Sequence, residues 1–296
     1  IDARLSDSDN VSGRYSFANF HTNGIQGALP VQLTGKSFNR PQNIALNWTR
    51  IISPTFVNEV RVGFNRAVFI TDVLDWAGLG TGNASLGIAG TQAHDGLSSI
   101  AMGSGLTTIG STAVIEDNVT NTFQYGDTLT MNQGRHFMKM GGQWLRYQQN
   151  RFYPGNNGLL GLFEYNGTFT GAAFADFLLD LLSRKGVGSQ TGTWGHRQNR
   201  IGVFFQDDFK MKSNLTVNLG IRWEYTSPVV EVHDRQSNFD ITTGRQLFAG
   251  RDGNSRALYD PYYKGFEPRV GFAWTPNTFD NKLVVRAGYG ITQYME

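Results

Sequence analysis

The feature that most constrains this chain is an alternation of apolar and polar residues with a period of two. Across 215–225, Leu215, Val217, Leu219, Ile221, Trp223 and Tyr225 alternate with Thr216, Asn218, Gly220, Arg222 and Glu224. Successive side chains of a strand point to opposite faces, so this segment reads as a strand with one greasy and one polar face. The pattern sets Val11, Tyr15 and Phe17 against Ser12, Arg14 and Ser16, and Phe56, Val60, Val62 and Phe64 against Glu59, Arg61, Gly63 and Asn65. It returns in 119–131 and 138–144, where Val119, Phe123, Tyr125, Leu129, Met138, Met140 and Trp144 oppose residues such as Thr122, Gln124, Thr128, Lys139, Gly141 and Gln143. Ile201, Val203, Phe205 and Phe209 oppose Arg200, Gly202, Gln206 and Asp208, and Leu283, Val285, Ala287 and Tyr289 oppose Arg286, Gly288 and Gly290.

Turn-rich connections at 6–10, 53–55, 131–134, 211–214 and 276–281 group these segments into five hairpins. Between hairpins lie long stretches: 21–41, 67–117, 149–196 and 227–266. A compact soluble domain rarely carries structureless loops beyond ~15 residues. Short turns on one rim, long loops on the other and strands of the ~9–11 residues a tilted membrane strand needs predict an antiparallel transmembrane β-barrel segment. The expected fold is all-β, with about ten long strands. Trp48, Trp144, Trp223, Tyr225 and Trp274 are expected near strand ends, as an interfacial girdle. A soluble sandwich with one buried face is the alternative, and charges in mid-strand on the polar face argue against it. Asp207 falls on the apolar face; a lipid-facing charge costs ~2–4 kcal/mol at the midplane and little at the interface, so it is expected at the membrane edge.

Charged residues make up 17% of the chain, below the ~25% of a soluble domain. Glycine is abundant, 36 of 296 residues, which with 13% aromatics disfavours disorder and helical bundles. A net charge of +2 gives no reason to expect nucleic acid. Zero cysteines remove disulfides, thiolate catalysis and cysteine-rich zinc sites. The stretch 96–115 is too rich in Gly, Ser and Thr for a membrane helix and reads as loop. The chain opens Ile1-Asp2-Ala3-Arg4, with no start Met or apolar signal core, and 288–296 still reads as strand. Residues 1–296 are therefore expected to be one partial barrel domain, cut at both ends and lacking a plug domain.

His21, His94, His136, His196 and His233 lack the spacing of a zinc-binding helix, and no Gly-x-Ser-x-Gly is present. Gly103-x-Gly105 and Gly186-x-Gly188 read as loop glycines. Glu231, Asp234, Asp240, Asp252 and Asp260 lack the alternating spacing of a calcium loop. No catalytic, cofactor-binding or metal-binding residue is assigned, so neither a cofactor nor an enzymatic activity is expected. The stretch 174–182 reads as a short helix with Asp176 and Asp180 on one face, packing on the rim. The one functional constellation is the set of polar-face charges Arg14, Glu59, Arg61, Lys139, Asp208, Arg222, Glu224, Arg269 and Arg286, expected to line a wet lumen. The same set also admits simple pairing across neighbouring strands, Arg222 with Glu224 for example.

Gln206-Asp207-Asp208-Phe209-Lys210, followed by the strand 215–225, resembles the paired strands of TonB-dependent outer-membrane transporters, in particular the Oar-like group that carries a carboxypeptidase-regulatory-like domain. Ser237-Asn238-Phe239-Asp240, Pro268-Arg269-Val270-Gly271-Phe272-Ala273-Trp274 and Val285-Arg286-Ala287-Gly288-Tyr289-Gly290 resemble later segments of that group, as Gly167–Gly171 with 174–179 resembles an extracellular one. The resemblance implies a bacterial outer-membrane location, a barrel of ~22 strands or more closed by a plug, and energised uptake of an unidentified small-molecule, peptide or oligosaccharide ligand. It further implies three partners: membrane lipid, a plug domain of the same chain, and a TonB-type energy-coupling protein reached through an N-terminal region outside this sequence. A stand-alone small porin or adhesin barrel is the alternative, and an outer-membrane enzyme with acids and histidines at its rim is a third reading. Gly63, Gly141, Gly220 and Gly288 cannot fill a narrow interior, so an open arc, or a strained closure with few ladder bonds between the first and last strands, is expected, with the outer edge of 283–293 largely unpaired. A ladder joining 283–293 to 2–5 would instead mean a self-sufficient barrel.

Overall fold

The computed structural model describes residues 1–22, 32–33, 35–73, 82–88, 94, 96–103, 105–279 and 282–293. Ten antiparallel strands form the continuous path of a thirteen-stranded main sheet, which the short strands Phe20–Thr22, Lys36–Asn39 and Val230–Glu231 join from the side: β1 (Asp2–Arg4), β2 (Asp9–Phe17), β3 (Gln42–Ser53), β4 (Phe56–Asp72), β5 (Glu116–Gln133), β6 (His136–Phe152), β7 (Trp194–Lys212), β8 (Leu215–Thr226), β9 (Phe266–Trp274) and β10 (Val285–Gly290). Each pairs with the next in chain order, so the sheet is a meander. Such continuous ladders satisfy the backbone donors and acceptors that a membrane interior would otherwise leave bare. Connections at 5–8, 54–55, 134–135 and 213–214 are tight. Gly134 sits at φ 62°, the left-handed conformation that the two-residue turn there requires. The last connection contains a 3₁₀ turn, Asn277–Phe279; Asp280 and Asn281, within the expected turn, lie outside the described residues.

Two expectations need correction. The central strands run well past the predicted length: β5, β6 and β7 span 18, 17 and 19 residues. Above Phe123 and Leu145 most positions turn polar (Asn118, Thr120, Asn121, Gln148, Gln149, Asn150), so the hydropathy period fades while the ladder continues. The long stretches are also not structureless. Ser99–Met102, Leu162–Tyr165 and Arg184–Gly186 form a three-stranded sheet, and Ser237–Asp240 pairs with Arg245–Phe248. Helices α1 (Gly82–Ser85) and α2 (Ala173–Leu178) complete them, α2 being shorter than predicted.

The buried apolar residues gather in these long segments rather than in the wall. Leu97, Ile100, Leu159, Leu160, Tyr165 and Ala173 are buried, whereas wall residues Leu219, Ile221, Val203 and Val270 stay about half exposed. The main sheet is thus a single layer open on both faces. Among the described residues β10 pairs only with β9 and β1 only with β2, and no ladder joins β10 to β1.

Candidate functional site

Register fixes the faces. On β8, Thr216, Asn218, Gly220, Arg222 and Glu224 stand level with Ala273, Gly271, Arg269 and Glu267 of β9 and with Asp208, Gln206, Phe204 and Gly202 of β7. Carried through the remaining ladders, the same parity places all nine predicted charges on one face: Arg14 on β2, Glu59 and Arg61 on β4, Lys139 on β6, Asp208 on β7, Arg222 and Glu224 on β8, Arg269 on β9, Arg286 on β10. Gly63, Gly141, Gly220 and Gly288 share it.

The charges are partly paired. Arg222 Nε donates to Glu224 Oε1 at 2.6 Å within one strand, not across two as the sequence suggests. The cross-strand partner of buried Glu224 is Arg200, Nη2 to Oε2 at 2.8 Å. Buried Glu267 lies 3.6 Å from Arg269, and Arg61 Nε donates to Glu59 Oε1 at 2.8 Å. Asn218 Nδ2 donates to Asp208 Oδ1 at 2.6 Å, and Arg14 Nε to Ser16 Oγ at 3.0 Å. The predicted set leaves out Arg200, although the alternation already places it on the polar face, and Glu267, which obeys the same alternation. A cavity on this face brings Glu59, Arg61, Lys139 and Arg222 together with Gln124 and Gln143. Gly141 lets Phe204 lie flat against the wall there, because a Cβ at 141 would stand 2.9 Å from that ring.

The opposite face is apolar and bounded by two polar rows. Taking the short connections as the lower end, the lower row holds Asp9, Arg50, Asn58, Asp127, His136 and Asp207. Trp48 Nε1 donates to Asp9 Oδ1 at 3.0 Å, Arg50 lies 3.7 Å from Asp9, and Asn58 donates to Asp127. The outlier Asp207 is held by His136 Nδ1 at 2.7 Å, and that imidazole stacks on Phe209 at 4.4 Å. In the upper row, Gln42 donates to the Tyr15 hydroxyl at 3.0 Å, Arg66 Nη1 to Asn121 Oδ1 at 2.9 Å, and Arg146 Nη1 and Trp144 Nε1 both to Asn199 Oδ1 at 3.1 Å. From Asn58 to Arg66 or from Asp207 to Asn199 the strand travels ~27 Å, which at a ~40° tilt spans roughly 20 Å, close to the apolar band of an outer-membrane barrel. Trp144 therefore lies in mid-strand, contrary to expectation, yet directly beneath a polar row. The strands overshoot the band.

Above the wall, carboxylates organise the rim. Glu231 is fully buried and accepts hydrogen bonds from the backbone N–H of Gly195, His233 and Arg235 at 3.0, 2.8 and 3.1 Å and from Arg235 Nη2 at 2.8 Å. Burial alone would raise its carboxyl, but the Arg235 guanidinium and these amides hold it far below the ordinary glutamate range. Asp176 of α2 is buried and accepts from Phe169 N, Thr170 N and Thr170 Oγ1, which closes the loop ahead of the helix. Asp180 accepts from the Tyr165 hydroxyl at 2.9 Å; burial, reinforced by that bond and charge, pushes the phenol up to about 12. Asp234 pairs with Arg256 and Asp240 caps the turn at Thr242 and Thr243, so these loop acids have structural partners. Among the described residues no group of three or more His, Asp or Glu is arranged to hold a metal ion.

A family model described as "Outer membrane beta barrel domain" matches residues 1–296. No curated protein matches the chain. Among solved structures, the outer membrane transporter YddB from Escherichia coli is similar over 98% of this chain and 30% of its own, at 10% identity and a TM-score of 0.51. The ferripyoverdine receptor of the Pseudomonas aeruginosa outer membrane aligns with 98% of this chain and 34% of its own at 11% identity, TM-score 0.47, and the copper transporter OprC with 98% and 35% at 10% identity, TM-score 0.49. The chain spans about a third of the length of these structures. At such identity the likeness to YddB shows the fold alone.

Proposed function

We propose a function from one premise: this chain belongs to the outer membrane beta barrel domain family, and its place is the bacterial outer membrane. It forms a stretch of the wall of a TonB-dependent transporter barrel, apolar face toward lipid and polar face toward the lumen. Arg14, Glu59, Arg61, Lys139, Asp208, Arg222, Glu224, Arg269 and Arg286 line that lumen. A plug carried by the same protein packs against them, and a TonB-type coupling protein energises uptake of a ligand not identified here. The wall itself performs no catalysis.

One observation carries this reading. The ten-strand meander ends in two edges without partners among the described residues, while charged polar-face positions continue to both ends, Arg14 on β2 and Arg286 on β10. A closed ten-strand porin would join those edges, and its glycine-rich inner face would leave a narrow barrel unfilled. Planar-bilayer recording on residues 1–296 alone tests it. The transporter reading expects no stable channel, and no energised accumulation in cells that express only these residues. A uniform, long-lived conductance would put the porin reading in its place.

A further inference from the structure

We propose that the upper row of the apolar face is a docking surface for the phosphate groups of an outer-leaflet lipid. The inference rests on the reading above that this face meets lipid. Register sets Arg66, Asn121, Gln148 and Arg197 side by side on β4, β5, β6 and β7, with Arg146 one step below. At ~4.8 Å between neighbouring strands, the row is about 14 Å wide, the scale of one lipid headgroup bearing two phosphates. The guanidiniums spend their hydrogen bonds on neutral oxygens: Arg66 on Asn121, Arg146 on Asn199, Arg197 on Asn150 Oδ1 and the carbonyls of His196 and Gln149. Arg40 follows the same rule, donating to Asn19 Oδ1 with its guanidinium over the Phe38 ring.

Among the described residues none of these four arginines forms an ion pair. Above this row, Asp72 is already paired with Lys36 at 3.2 Å, and Asp117 lies roughly 13 Å along the strand from Asn121. The lower row has the opposite character, with Asp9, Asp127 and Asp207 against Arg50 and His136. Amide oxygens orient a guanidinium but leave its charge uncompensated, which is costly beside hydrocarbon. A phosphate oxygen supplies the missing charge, and the planar fork of arginine matches it in two bonds. The two rows therefore differ in charge, and the upper one offers arginines whose charge a lipid phosphate would compensate.

The test uses the protein purified from outer membranes in dodecyl maltoside, with bisphosphorylated lipid A and its dephosphorylated form as probes. Lipid A should bind at least tenfold more tightly than the dephosphorylated form, and the preference should collapse in high salt. The triple variant Arg66→Gln, Arg146→Gln, Arg197→Gln should lose it, while the corresponding triple lysine variant retains most of it. Millimolar inorganic phosphate should not displace the lipid; if it does, the site is one for free phosphate and the proposal fails. Equal binding of both lipids to the wild type overturns it without reference to any variant. Bimane attached at Val203→Cys or Gln206→Cys and quenched by brominated acyl chains separates the two readings. Quenching at 203 only, with no phosphate preference, refutes the headgroup site alone; quenching at 206 only refutes the face assignment beneath it.

Discussion

Ile221 and Thr216 lie on β8 on opposite faces, so one charge placed at each reads the wall directly. Ile221→Arg, one same-face step inside the band from Asp207, should lower folding stability in bilayers by ~2–4 kcal/mol, whereas Thr216→Arg should lower it by less than ~1 kcal/mol. Urea titration of both variants in lipid vesicles checks this, and equal losses would contradict the faces drawn here. At the rim, Glu231→Gln removes a buried charge that Arg235 and three amides were arranged to receive, a loss of ~1.5–3 kcal/mol by the usual worth of charged hydrogen bonds. Limited proteolysis should then cut within 227–266 at least tenfold faster while the wall stays intact. Because the carboxyl is depressed in the folded state, its stabilisation is complete above the ordinary glutamate value of ~4.3 and is lost as pH falls toward its lower folded value. Cleavage of the wild-type loop should therefore accelerate with acidification, and that of Glu231→Gln should not. Some of this chemistry was legible in the sequence. Alternation put Arg222 and Glu224 on one face, as the ladders do, but the choice of Arg200 as a second partner depends on register, and so does the link between Asp207 and His136, 71 positions apart.

At the scale of the strand, alternation located the meander because each wall strand keeps one greasy face. It could not set where strands stop, since hydrogen-bonded ladders need no apolar residues once they leave the hydrocarbon. The two polar rows escaped notice for a related reason: on any one strand they look like isolated exceptions, and only pairing lines them up. Glycine placement was legible as a pattern but not as packing. Gly141 sits where an added Cβ would meet Asp127 O at 2.4 Å and the Phe204 ring at 2.9 Å, while at Gly220 the nearest atom would be 3.6 Å away. Gly141→Ala should therefore destabilise the barrel by ~1–3 kcal/mol, and Gly220→Ala by well under 1 kcal/mol. Heat-modifiable migration on gels, scored as the fraction assembled in detergent, distinguishes them.

Among the described residues the main sheet has two edges without partners, and the buried apolar residues gather in the segments above the wall. Unpaired strand edges invite pairing with other chains. Residues 1–296 alone should consequently sediment as aggregate in detergent-free buffer, a fraction that ultracentrifugation measures directly; a soluble monomer would mean that the edges are capped in some way the ladders do not show. The overshoot of β5–β7 bears on a different matter, the engineering of the exposed end. From Asn121 up to Asp117 the strand runs another ~13 Å as regular ladder, held on both sides by neighbours. A foreign epitope grafted at 68–70 would have to break that ladder, although the site is remote from the hydrocarbon. One grafted at the exposed tip of the Ser237–Asp240 and Arg245–Phe248 hairpin, where Ile241 is 89% exposed, would break none of it. Distance from the membrane is thus a poor guide to where this surface accepts cargo; the last paired residue of each strand is the better one.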